Sequence, residues 1–104
     1  MDTENLKIYL EIAKLRNISA AAKSLSMTQS TVSRRLQMLE DELHTRLVVR
    51  NRGVENITLT PAGEQLIPLC GQLLRMEKDM QEIGQHSKKH RLRIAVPDSI
   101  MSYK

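Results

Sequence analysis

Apolar residues recur at helical spacing over three stretches of this chain, and polar or turn-forming residues separate them. Leu6, Tyr9, Leu10 and Ala13 fall at i, i+3, i+4 and i+7, with Ile8, Ile12 and Leu15 widening the stripe. That pattern predicts a helix over residues 3–16, buried on two sides. Asn17 is placed to take a left-handed backbone position after Arg16. Ser19 is the predicted cap of a short helix, Ala20–Leu25, whose Ala21 and Ala22 let a crossing helix come close. Ser26-Met27 makes a tight turn. Thr28 is the cap residue of a second short-range partner helix that runs to Leu43. Val32, Leu36, Leu39 and Leu43 share one face of it, and Met27 with Val32 has the spacing of a hydrophobic staple.

Beyond this helix the pattern shortens. Leu47–Arg50 and Asn56–Leu59 read as two strands around a turn at Asn51–Glu55, where Gly53 can adopt positive φ. Thr60-Pro61 is a strong helix start, because proline in the first turn gives up no hydrogen bond it could have made. The predicted helix reaches Ile83 and is kinked at Pro68, whose ring meets the carbonyl of Glu64. Along it Leu66, Leu69, Leu73, Met76, Met80 and Ile83 are spaced 3, 4, 3, 4 and 3 apart, the seam of a coiled coil. The first turn can pack on the chain's own domain. Residues 73–83 lie a further ~10 to 25 Å along the axis, beyond what a small domain covers, so self-association through this helix is expected.

Gln85–Arg91 is a polar, basic connector, and Leu92–Val96 (LRIAV) is a strand-like run with almost nothing after it to pair with. The expectation is an N-terminal fragment in three parts. Residues 1–60 form a domain, 61–85 a linker helix, and 86–104 the hinge and first strand of a further domain.

Charge narrows the reading. Sixteen basic residues face twelve acidic ones in 104, for a net charge of +4. From Ile12 through Leu39 there are five basic side chains (Lys14, Arg16, Lys23, Arg34, Arg35) and no acid, which suits either a solvated basic face or a polyanion partner. Cys70 is the only cysteine, so neither a disulfide framework nor a cysteine-rich metal site is possible. The acidic start, MDTEN, is no signal peptide, and no apolar run approaches a membrane span, so a cytoplasmic, nucleoid-associated protein is expected. No Gly-rich phosphate loop, metal cluster or nucleophile–base pair is visible, and His44, His86 and His90 lack convincing partners, so no enzyme and no cofactor are expected.

The helix from Thr28 carries the chemistry. At about 100° per residue, Gln29, Ser33, Gln37, Ser30 and Arg34 fall on one arc of about 140°, apart from the apolar stripe. Glutamine can bond adenine through two atoms, arginine can bond guanine, and serine adapts to base or phosphate. The free amides at the helix start favour a phosphate oxygen near Thr28, Ser30 or Thr31. Glu40, Asp41 and Glu42 would be repelled by phosphates, so the first turns are expected to enter a groove and the last to tilt out. A polar helix face is ordinarily just solvated. The alanine-rich helix before it, the tight turn and the basic surroundings shift the balance towards DNA. Arg50 and Arg52, at the tip of the hairpin, can reach the backbone or an adjacent minor groove.

Together, Ala21-Ala22-x-x-Leu25, Thr28-Gln29, Ser33-Arg34, Leu39-Glu40-x-x-Leu43, Arg46-Leu47, Arg50 and Leu59-Thr60-x-Ala62-Gly63 resemble the N-terminal region of LysR-type transcriptional regulators. The resemblance covers residues 6–63. It implies a mainly α fold: a winged helix-turn-helix of three helices and a two-stranded β-wing, followed by a long dimerisation linker helix. It also implies a homodimer or tetramer reading a dyad-related site on double-stranded DNA, antiparallel pairing of linker helices, and a small-molecule effector held by a C-terminal domain. The positions matching Gln29, Ser30, Ser33 and Arg34 approach bases and phosphates in that family, and the one matching Arg50 touches flanking DNA. Ser99 and Ser102 would begin the effector pocket.

The departures are Ile18 and Val48 in place of phenylalanine, Ser30 in place of proline and His44 in place of glycine. The wing between Arg50 and Leu59 is also about two residues longer than usual. A winged-helix module that binds an acidic protein partner through the same face is the rival reading.

Overall fold

In a computed structural model, which describes residues 2–51 and 56–89, the chain forms four helices and a two-stranded wing. They run α1 (Thr3–Leu15), α2 (Ile18–Ser24), α3 (Gln29–Leu43), β1 (Val48–Arg50), β2 (Ile57–Leu59) and α4 (Pro61–Lys89). Arg52, Gly53, the LRIAV run, Ser99 and Ser102 lie outside the described residues. Contacts divide the chain into a compact unit, Met1–Leu74, and a second that begins at Arg75.

Each helix is started and stopped by local chemistry, in two places differently from the sequence expectation. Asp2 opens α1 by accepting the Glu4 N–H at 3.0 Å. Arg16, not Asn17, takes the left-handed position at its end, with φ 55°. Asn17 is extended and caps α2, its Oδ1 accepting the Ala20 N–H at 2.8 Å. Ser19 therefore lies inside the helix rather than at its cap. Asn17 wins because it also pairs across the fold: it forms a bridge with Asn56, and its Nδ2 donates to Asn56 Oδ1 at 3.0 Å. Ser26 turns the chain at φ 57°, and Thr28 caps α3 by accepting the Thr31 N–H at 3.1 Å. His44 ends α3 at φ 55°, while the Thr45 N–H reaches back to the Glu40 carbonyl at 3.1 Å.

The core draws on every element. Leu6, Tyr9 and Ile12 of α1, Ala21 and Ala22 of α2, and Val32, Leu36 and Leu39 of α3 are sealed together with Leu47, Val48 and Ile57 of the wing and Cys70 of α4. The wing strands pair antiparallel, Val48 opposite Leu59 and Arg50 opposite Ile57. Their base is closed by Thr60, whose N–H donates to the Leu47 carbonyl at 3.0 Å and whose hydroxyl donates to the Arg46 carbonyl at 2.6 Å. The same hydroxyl accepts the Gly63 N–H and so caps α4.

Gly63 has to be glycine: a Cβ there would lie 2.2 Å from the Leu47 carbonyl oxygen. The Tyr9 hydroxyl donates to the Gly63 carbonyl at 2.7 Å, locking α1 to the first turn of α4. Helix α4 continues through Pro68 and runs to Lys89, six residues past the predicted end at Ile83. Gly84 does not stop it.

Candidate nucleic-acid interface

The start of α3 presents the polar side chains that the helical wheel groups together. Thr28, Gln29, Ser30 and Arg34 are exposed and Thr31 and Ser33 half-buried, whereas Val32, Leu36 and Leu39 on the far side are sealed. No acid lies in the first turn. The Thr28 hydroxyl donates to Thr31 Oγ1 at 2.8 Å and lies 3.3 Å from Ser30 Oγ, so three hydroxyls cluster at the positive end of the helix. Gln29 Nε2 donates to Ser19 Oγ on α2. Arg34 makes no hydrogen bond or ion pair among the described residues.

The wing reaches this face. Arg50 Nη2 donates to Ser33 Oγ at 3.2 Å, joining the last residue of β1 to the middle of α3. Gln37, at the far edge, is turned the other way: its Nε2 donates to Asp41 Oδ1 at 3.0 Å.

Two charged residues have roles that the sequence does not announce. Arg35, next to Arg34, faces inward to the chain start. It donates to Asp2 Oδ2 at 3.1 Å and Asn5 Oδ1 at 2.9 Å. The Asp2 carboxyl is held below its usual range, chiefly by the Glu4 N–H it accepts and also by this guanidinium.

Glu40 corrects the expectation of an exposed acidic run. It is 5% exposed, and its Oε2 accepts the N–H groups of Leu47 at 2.7 Å and Val48 at 3.3 Å, with Arg46 Nε 3.8 Å away. Only Asp41 and Glu42 remain exposed there. The helical wheel gives no sign of this, since Glu40 falls between Gln29 and Ser33 on it; the backbone N–H groups of Leu47 and Val48 bury the carboxylate. No spacing rule in the sequence points to Ser19 as a neighbour of Gln29, since the two meet only through the packing of α2 on α3.

Of the seam on α4, Leu66 packs against the core, as do Ile67 and Leu74. Leu69, Leu73, Met76, Met80 and Ile83 are exposed. No helix among the described residues is long and apolar enough to cross a membrane.

Comparison with known proteins adds three findings. Residues 3–64 match the family model of bacterial regulatory helix-turn-helix proteins, lysR family. The chain is 44% identical over 90 residues to the HTH-type transcriptional regulator HdfR of Yersinia pestis (strain Pestoides F), covering 86% of this chain but 30% of that protein. Among solved structures it is similar to the CbnR_DBD–DNA complex, with a TM-score of 0.79 and 27% identity over 85% of this chain and 99% of that one. It is likewise similar to Vibrio fischeri DarR in complex with DNA, with a TM-score of 0.74 and 31% identity over 85% of this chain and 30% of that one.

Proposed function

The chain belongs to the LysR family of bacterial regulatory helix-turn-helix proteins, and from that membership we propose that it is the DNA-reading part of a transcriptional regulator. The observation that carries the proposal is the α3 face: Gln29, Ser33 and Arg34 share it, with Arg34 unpaired among the described residues and Arg50 of the wing meeting Ser33. On this reading Gln29, Ser33 and Arg34 contact base edges in the major groove, with Gln37 at the limit of reach. Thr28, Ser30, Thr31, Arg50 and Arg52 hold the backbone. The similarity to the CbnR and DarR complexes with DNA supports it.

Two such chains act together on a dyad-related site in the cytoplasm. The exposed apolar side chains Leu69, Leu73, Met76, Met80 and Ile83 support pairing through α4, with Leu66 at the edge of that seam. A small-molecule effector acting through a C-terminal domain of the full-length regulator is assigned from the family resemblance alone. Ser99 and Ser102 are assigned to that site from the family resemblance alone.

Selection of bound sequences from a random duplex pool tests the reading, and enrichment of two related half-sites is expected. Arg34→Ala should lower the preference for the selected site over random duplex, because a good two-atom base contact is worth about 1–3 kcal/mol. Arg52→Ala should weaken binding to both alike and flatten the salt dependence. Equal affinity of the wild type for selected and scrambled duplex would overturn the proposal and favour an acidic protein partner.

A further inference from the structure

Gln29 does not stand alone at the start of α3. Its Nε2 donates to the hydroxyl of Ser19, which sits half-buried on α2. That hydroxyl is free for the task because Asn17 caps α2 through the Ala20 N–H. The serine is therefore available as a side-chain partner across the helix-turn-helix rather than as a local backbone brace.

The contact changes what Gln29 can offer. A glutamine amide carries two N–H donors and one carbonyl acceptor. In the major groove adenine shows an acceptor, N7, beside a donor, N6, while guanine shows two acceptors, N7 and O6. With one N–H given to Ser19, the amide retains one donor and one acceptor, which is the complement of adenine. A guanine edge asks for both donors, and one is committed. The contact also holds the amide against free rotation, so less freedom is lost when a base is bound.

We propose that Ser19 is a positioning residue that sets the base choice of Gln29, favouring adenine over guanine at the base pair Gln29 reads. The inference rests on the DNA-reading function proposed above. It gives a specificity role to the first helix of the pair, through a residue that need not itself touch DNA.

The test uses the full 104-residue chain and a random duplex pool, followed by competition between duplexes that differ at one base pair. Gln29→Ala locates that pair as the position whose preference collapses. The wild type should select adenine there. Ser19→Ala and Ser19→Gly should lower the adenine-to-guanine ratio at that position about tenfold, leaving preferences elsewhere unchanged, and Ser19→Thr should keep the ratio. Because the ratio is taken within one sample, a smaller folded fraction cancels out.

An unchanged ratio in both hydroxyl-free variants would overturn the proposal while leaving the DNA-reading function intact. So would a uniform loss at every position, a Thr variant that behaves like Ala, or guanine as the wild-type choice. Absence of any enrichment by the wild type would overturn the DNA-reading function itself, and this proposal with it.

Discussion

Two apolar stripes in this chain share a spacing and meet opposite fates. On α3, Val32, Leu36 and Leu39 are 0, 2 and 0% exposed; on α4, Leu73, Met76, Met80 and Ile83 are 43, 57, 63 and 65% exposed. Sealing an aliphatic side chain contributes about 1.5–3 kcal/mol. The α3 stripe has realised that gain inside the chain, against α1, α2 and the wing. The stripe on α4 has it still to realise. Spacing along a helix tells which face seeks cover, and says nothing of whether the cover is the same chain or another.

The sharpest way to break the comparison is to trim one residue from each stripe. Leu36→Ala should lower the unfolding free energy by about 2–5 kcal/mol, through lost transfer energy and the cavity left behind. Met80→Ala should change it by less than ~0.5 kcal/mol when urea unfolding is followed at high dilution, as for other exposed positions. Equal costs would mean that the two stripes are not different in kind.

Charging the exposed stripe comes next. Leu73→Asp or Met80→Asp should raise a dimer dissociation constant by about thirtyfold or more in sedimentation, the equivalent of ~2 kcal/mol. Dimers of undiminished strength would place the interface elsewhere.

The boundary between the two behaviours falls within α4, and Gly63 probes its docked side. Gly63→Ala sets a methyl group against the Leu47 carbonyl and the Tyr9 hydroxyl, and should cost about 1–3 kcal/mol in thermal unfolding.

The remaining effect is on pH. Loss of solvent around Tyr9 pushes its phenol from 10.0 up to about 12. The neutral form is favoured in the fold, so this contribution is complete below pH 10 and is lost as pH rises through 12. The contribution of Tyr9 should therefore fall by up to ~1.4 kcal/mol per pH unit across that window, and Tyr9→Phe should make the measured loss of stability shallower there.

Much of the fold was legible because its signals are local. Thr28 before a polar turn, Pro61 after Thr60 and the stripe on α3 each name their element without reference to the rest. The start of α2 was not legible, since Asn17 and Ser19 are equally good caps two residues apart. Asn56, far along the chain, decides between them. The candidate site follows the same division. That Gln29, Ser33 and Arg34 share a face is helix geometry. That Arg35 turns inward to Asp2, that Glu40 is buried under the wing and that Gln29 meets Ser19 all depend on elements brought together by tertiary packing.

The closed base of the wing has a consequence for how such a domain can change. Thr60 joins both Arg46 and Leu47, so the hairpin begins and ends at one fixed knot. Glu40 holds the same knot from α3. Extra residues at the tip then lengthen a loop whose ends are already together, and doubling such a loop costs only about 0.6 kcal/mol. The tip can therefore gain or lose residues, and with them arginines, while α3 and α4 keep their places. It is the part of the domain where sequence length is free to vary.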